Sequence, residues 1–368
     1  MKILWMHPSA NLFKSDSRSN YELLKHRSLT NICVDVNNNN RIYKHHCAVD
    51  RTGIYVPKTA LKFDISNYIM PELQSNFKAL DKCISDRCQE IFEKNKQIIL
   101  FYSGGMDSLC CLVGFIKNYG ISACAEKITI FANEASIRSL PDFYNKHILD
   151  NFNIVSSTNS NITLLDDKYS EHIIVSGDPA NLFDDTVLID ATINLGIPLD
   201  SKYWKQEIKN HHEVLFDNCC NDSYNHLIYV IESSADSRNY SIDNVFDFIW
   251  WYNNNLFQIS HSIKMLHFFY QLLIKYRLGK DYWHNRFVPF FNTDDFTRWS
   301  YNVKQEVMEY KMQENSYIYK QHFRRYIEDI AGSNFISKHY NNENSGLYSH
   351  VLKGIRRFSI LTSDYVPV

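Results

Sequence analysis

The spacing of apolar residues changes rhythm along this chain, and each change marks an element. Leu73, Phe77, Leu80, Ile84, Ile91 and Phe92 recur at helical spacing and predict a helix over 72–94. The next run, Gln97-Ile98-Ile99-Leu100-Phe101-Tyr102, is apolar almost throughout, the pattern of a strand buried on both faces. Ser108–Asn118 returns to a helical pattern, with Gly120 just past its end, where a C-cap glycine often sits. Lys127–Ala132 predicts a second strand, Pro141–Asn151 a helix, and Ile162–Leu165 and His172–Val175 two further strands. Strands that alternate with helices build βαβ units and hence a parallel sheet. From about residue 200 the pattern is mainly helical and aromatic, as in Phe246–Tyr252 and Phe268–Tyr270.

Before residue 72 the pattern is different. Ile32–Val36 and Arg41–Tyr43 are β-prone runs around Asn37–Asn40, which reads as a hairpin. Together with Met1–Met6 this predicts a small N-terminal region, 1–90, with strands and a leading helix. The remainder, 91–368, is expected to be an α/β domain with a parallel sheet flanked by helices and a helical C-terminal part. Composition supports a packed chain, since 45% of its 368 residues are hydrophobic. The formal net charge of -2 provides no global basic field, so nucleic acid is not an expected partner. His322–Arg325 and Arg356-Arg357 read as solvated surface. The nine cysteines are irregularly spaced, odd in number and form no C-x-x-C pair, which argues against a disulfide framework. The apolar run at Met1–His7 is too short for a secretion signal, and no run approaches the ~18 apolar residues that span a bilayer. A reducing, cytoplasmic setting without a membrane partner is the expectation.

The candidate chemistry sits between the first predicted strand and the helix after it. A parallel sheet places ligands at the carboxyl ends of its strands, and Ser103-Gly104-Gly105-Met106-Asp107-Ser108 lies at such an end. Gly104 and Gly105 let backbone approach an anion closely. The following helix presents free N–H groups and its positive dipole end. Ser103 and Ser108 bring hydroxyls. Asp107 is out of place beside phosphates unless a cation lies between them, and Mg²⁺ shared by a carboxylate and phosphate oxygens is the ordinary solution. The segment is neither G-x-x-x-x-G-K-[ST] nor G-x-G-x-x-G.

Residues 103–108 resemble the PP-loop of the N-type ATP pyrophosphatases, the superfamily of asparagine, GMP and NAD synthetases and tRNA-thiolating enzymes. Its members cleave ATP between the α- and β-phosphates. The loop holds the departing pyrophosphate while AMP passes to a carboxylate or carbonyl oxygen. Three further stretches are similar to the synthetase domain of asparagine synthetase and its relatives. Ile173–Phe183 matches a strand followed by Ser-Gly-(Asp/Glu)-Gly-x-Asp-Glu-x-Phe, a loop that supplies a second metal carboxylate and contacts substrates. The resemblance gives Asp178 that role. Asn181 stands where the metal-binding Asp is expected and Leu182 where the next Glu is. An amide oxygen is the weaker Mg²⁺ ligand, and Asp184 or Asp185 compensates if the loop is shifted by one residue. Arg286–Asn292 is similar to Arg-x-Pro-Phe-Leu-Asp, with Asn292 at the final Asp. Tyr317–Arg325 resembles Lys-x-x-Leu-Arg, whose lysine reaches the ATP phosphates, so Lys320 inherits that role.

The resemblance covers roughly residues 95–330 and implies an adenine-nucleotide α-hydrolase-like fold. The activity it implies is an ATP- and Mg²⁺-dependent ligase that adenylates a small-molecule or peptide carboxylate and joins it to an amine. Glutamine-using asparagine synthetases carry a catalytic cysteine after the initiator methionine; Lys2 occupies that place here, so no intrinsic glutaminase is expected. Two alternatives stand beside this reading: a nucleobase- or tRNA-modifying enzyme, and a catalytically weakened nucleotide-binding protein, which Asn181 and Asn292 favour. Cys110 and Cys111 read as packed core rather than sulfur carriers. His211, His212, Cys219, Cys220 and His226 match no usual zinc spacing. Trp250-Trp251-Tyr252 reads as helical core.

Overall fold

A computed structural model of the chain describes residues 51–52, 69–73, 76–156, 167–177, 182–183, 188–215, 221–258, 286–313 and 320–332. The predicted 32–43 hairpin, the 162–165 strand, Asp178, Asn181, Asp184, Asp185, Cys219, Cys220 and the Phe268–Tyr270 group lie outside these residues, as does Arg356-Arg357.

The described residues form an α/β fold on a five-stranded, wholly parallel sheet. Helix α1 (Leu80–Phe92) leads into β1 (Ile98–Phe101), α2 (Met106–Lys127), β2 (Ile128–Ala132) and α3 (Glu134–Ser139). Then come β3 (Asn153–Ser156), β4 (Ile173–Ser176), α4 (Leu188–Asn194), α5 (Trp204–Asn210), α6 (Asn221–Asp236) and α7 (Val245–Trp251). Strand β5 (Phe287–Pro289), α8 (Asp294–Gln313) and α9 (Gln321–Ala331) complete the order. The strand order is β3-β2-β1-β4-β5. The chain therefore leaves β1 in one direction and later fills the other side, which puts a topological switch point between β1 and β4. The registers align the carboxyl ends there, with Phe101 level with both Phe131 and Ser176.

Strands β1, β2 and β4 are buried at every position, as uninterrupted apolar runs require. Two edge strands escape the sequence pattern. Strand β3 has only Ile154 and Val155 between polar residues, too short an apolar signal to stand out from the helix end before it. Strand β5 is three residues long and ends on Pro289, which an edge position tolerates. It is held by Arg286, whose Nε donates to the carbonyl of His172 at 2.8 Å and whose Nη2 donates to that of Tyr169 at 2.5 Å. Arg286 thus secures the amino end of β5, away from the ligand-facing edge.

Two helix boundaries move from their expected places. The leading helix begins at Leu80, not at 72, and Phe77 is exposed. Backbone upstream is engaged elsewhere: Met70 N–H donates to the Arg51 carbonyl, and Arg298 Nε donates to that of Glu72. Gly120, with φ 75°, does interrupt the second helix, but helical backbone resumes at once and runs to Lys127. That helix is long and apolar enough to cross a membrane by length and composition, yet Leu109–Ile116 lie inside the core.

Helices α1, α2 and α9 meet at Gly114. A Cβ there would stand 2.7 Å from Ile84 Cγ2, 3.0 Å from Cys88 Sγ and 3.8 Å from the Tyr326 hydroxyl. Although α1 precedes residue 91, its buried face belongs to this same core. The aromatic C-terminal half fills the rest. Trp250 and Trp251 are fully buried, and their indole N–H groups donate to Ser300 and Ser234 hydroxyls at 3.2 and 3.0 Å.

Candidate nucleotide site

At the β1–β4 switch point the loop 103–108 is shaped by its own hydroxyls. Gly105 N–H donates to Ser103 Oγ at 3.2 Å, the two serine hydroxyls lie 3.0 Å apart, and Ser108 Oγ donates to the Gly105 carbonyl at 3.0 Å. Ser103 N–H also donates to Ser108 Oγ at 3.1 Å. With its own proton on Gly105, Ser108 Oγ accepts from both Ser103 groups and has no capacity left. Ser108 is 2% exposed, so its side chain builds the loop rather than meeting a ligand. The Met106 side chain is likewise buried, which leaves backbone as its ligand-facing part. Helix α2 starts at Met106 after Gly105 without any side-chain cap. Its first N–H groups are therefore the natural donors to an anion arriving from above the sheet.

The two critical glycines answer to neighbouring protein. Gly104 has φ 73°, and a Cβ on it would fall 2.3 Å from the Ser136 carbonyl oxygen. A Cβ on Gly177, one residue past β4, would fall 2.8 Å from Asp107 C and Ser108 N. Three turns, those after β1, β2 and β4, are thus pressed together at backbone distance. The β2 turn is rigid in its own right. Asn133 caps α3 by accepting from Ser136 N–H at 2.7 Å and from the Ser136 hydroxyl at 2.8 Å. The sequence reading missed these two residues, although Asn-x-x-Ser directly after a strand is a legible capping signal.

Asp107 points from the first turn of α2, and Lys320 meets it. Lys320 Nζ donates to both carboxylate oxygens, at 2.8 and 2.9 Å. The pair spans 213 residues of sequence and is mostly but not wholly covered, with side-chain exposures of 15% and 20%. Position follows from packing. Helix α9 docks on α2, where Lys117 Nζ donates to the Tyr326 carbonyl at 2.5 Å and pairs with Asp329 at 3.1 Å. Its first turn is wedged by Phe323 against Phe291 and Trp299, with ring centroids 5.1 and 6.0 Å apart. Phe291 follows β5, so the edge of the sheet sets the height of Lys320.

Asn292, the residue after Phe291, has a buried Nδ2 with no hydrogen-bond partner. It lies past the carboxyl end of β5, two residues after Phe290, whose N–H donates to the Ser176 carbonyl at 2.8 Å. Asp178 lies outside the described residues, so its distance from Asp107 is undefined. Among the described residues no group of three His, Cys, Asp or Glu is arranged to hold a metal. The donor set still suits Mg²⁺, which is commonly bound by one or two protein carboxylates together with phosphate oxygens and water. Asp107 would be its holder.

Sulfur chemistry is poorly served. Cys110 and Cys111 are fully buried, and burial pushes the Cys110 thiol well above its usual range, which keeps it protonated. His212 is turned to backbone, its Nδ1 lying 2.7 Å from the Lys209 carbonyl. Comparison of the chain with protein-family models, with curated proteins and with solved structures finds no match.

Proposed function

We propose that this protein is an ATP-dependent, AMP-forming ligase that binds the polyphosphate of ATP on the 103–108 loop. The observation that carries the reading is the meeting of Asp107 and Lys320 on an uncapped helix start at the sheet's switch point. A backbone anion cradle, one carboxylate and one lysine are groups that can stabilise a departing pyrophosphate. The resemblance of 103–108 and 317–325 to the PP-loop superfamily points the same way.

In this reading the α2 N–H groups and Lys320 hold the β- and γ-phosphates. Charge accumulates on the leaving pyrophosphate, and preorganised donors that stabilise it act on the transition state more than on bound substrate. Asp107 would hold Mg²⁺, with Asp178 as the second carboxylate that the resemblance implies; the metal when bound would supply positive charge that offsets the phosphate oxygens. A substrate carboxylate attacks the α-phosphorus, the bond to the bridging oxygen breaks, and pyrophosphate leaves. An amine then attacks the acyl-adenylate carbonyl and AMP departs, giving an amide.

The test is a mass-spectrometric search for the adenylate. Protein incubated with ATP, Mg²⁺ and a carboxylate-containing metabolite extract, with amines removed, should accumulate an acyl-AMP. Extracts that support ATP turnover but leave ADP and no adenylate contradict the reading.

A further inference from the structure

Building on that reading, we infer that the site takes its metal and its polyphosphate only together, as a chelate, and that the Lys320–Asp107 pair enforces this by occupying both charged groups until both ligands arrive. The geometry allows little else. Lys320 Nζ sits on both carboxylate oxygens at once, so the face of Asp107 that would ligate a cation is covered. The same contacts aim the ammonium at Asp107 rather than at the α2 N-terminus.

Each partial occupancy is unfavourable for a separate reason. A lone divalent cation must displace Lys320 from Asp107 and then stand beside the displaced ammonium, a like-charge contact in a mostly covered site. A lone polyphosphate must draw Lys320 away and then face a bare carboxylate. The chelate exchanges both partners in one step: the cation takes Asp107, the phosphate oxygens take Lys320, and no charge is left unpaired. The backbone of Lys320 stays beside Asp107, because the Phe323 wedge fixes the first turn of α9 and the Lys117 contacts hold the rest of the helix on α2. Metal and polyphosphate should therefore bind synergistically beyond their own association in solution. The coupling is reciprocal, each strengthening the other by the same factor.

The inference makes an uncommon demand on two binding residues: removing either should tighten one ligand taken alone. Free Mn²⁺ would be followed by its electron paramagnetic resonance signal and pyrophosphate by titration calorimetry, using the full chain as wild type, Lys320→Gln and Asp107→Asn. Lys320→Gln should bind Mn²⁺ alone on the order of tenfold more tightly than wild type, because the competing ammonium is gone. Asp107→Asn should bind pyrophosphate alone more tightly, because the facing carboxylate is gone. Both should bind Mn²⁺-pyrophosphate more weakly than wild type. Lys320→Arg, which retains a cation on Asp107, should keep the weak Mn²⁺ affinity of wild type and serves as the folded control. Equal or weaker Mn²⁺ binding by Lys320→Gln, with Mn²⁺-pyrophosphate still bound by wild type, overturns the inference and leaves the nucleotide reading standing. Wild-type protein that binds no Mn²⁺-pyrophosphate removes the reading and the inference together.

Discussion

Two polar clusters in this molecule look alike in composition and differ in what their surroundings let them do. One is the Lys320–Asp107 pair above the 103–108 loop. The other surrounds Arg51, which is 2% exposed and donates from Nη1 to the Asn254 carbonyl at 2.9 Å and to Gln258 Oε1 at 2.6 Å. Asn254 Nδ2 in turn donates to the Leu182 carbonyl at 2.8 Å, on the segment after β4. The Arg51 cluster sets a buried guanidinium against a backbone carbonyl and a side-chain amide and is sealed from water. Burial lowers its guanidinium to about 10, with the charge of Asp294 opposing the shift. It joins Arg51, the chain after β4 and the π-helical turn Tyr252–Phe257 that follows α7. The Lys320–Asp107 pair, by contrast, joins two helix starts, retains some solvent access and sets two opposite charges face to face. A cluster whose partners are backbone carbonyls and buried amides cannot be exchanged without breaking the fold; a pair of facing ions can.

That contrast breaks most sharply at Asp107. Asp107→Asn should lower turnover by about a hundredfold or more, as loss of a preorganised electrostatic stabiliser does. Its thermal midpoint should stay near that of wild type, since the group is not sealed in the core. Gln258→Leu should do the reverse. It removes a buried acceptor from a charged donor, a change that costs about 2–3 kcal/mol. Urea unfolding should register that loss, while Mn²⁺-pyrophosphate binding at the loop persists.

Gly177→Ala tests whether the turns after β1 and β4 are pressed together as firmly as the backbone distances indicate. The new methyl meets Asp107 and Ser108 backbone at 2.8 Å, and overpacking of this kind costs about 1–3 kcal/mol. Because the strain falls on the loop itself, Mn²⁺-pyrophosphate affinity should drop along with stability, unlike either earlier variant. A Gly177→Ala protein with unchanged affinity would show that the loop yields.

The smallest effect concerns pH. Burial holds His322 below its ordinary 6.5, with Arg325 adding to the shift and Glu306 opposing it. His147 and His172 move in the same direction, also by burial. Below pH 6.5 the unfolded chain therefore binds more protons than the folded one, so this contribution is complete above that pH and is lost as the pH falls through it. A melting series from pH 7.5 to 5 should show a decline beginning near 6.5. His322→Phe should flatten part of it, and because His322 lies on the first turn of α9, the same series should show whether Lys320 loses its seat.

The difference between the two clusters also marks how far the sequence could be read. Strands β1, β2 and β4 were legible because burial on both faces leaves an unbroken apolar run, and the place of the loop after β1 was legible because that run stops at Ser103. The edge strands were not: β3 and β5 have too few apolar residues to form a pattern. The roles inside the loop were only partly legible. Gly104 read as room for a ligand, whereas the structure shows it making room for Ser136; Gly177, which carried no such reading, makes room for the Asp107–Ser108 backbone. Ser108 read as a donor, but tertiary geometry takes up its hydroxyl within the turn. Lys320 came only through a resemblance, since a contact across 213 residues leaves no periodicity to read. The Arg51 cluster went unread altogether. Asn253-Asn254-Asn255 in an otherwise aromatic helical stretch was its one local sign, because three consecutive amides in a buried segment need partners.

The central claim is that ATP is cut between its α- and β-phosphates at the Asp107–Lys320 site. The most direct measurement is the phosphorus NMR spectrum of the products when the protein turns over ATP and Mg²⁺ with a metabolite extract. AMP and pyrophosphate in equal amounts, both lost in Asp107→Asn, are the predicted result. ADP and orthophosphate, or AMP and pyrophosphate formed equally well by Asp107→Asn, would contradict it.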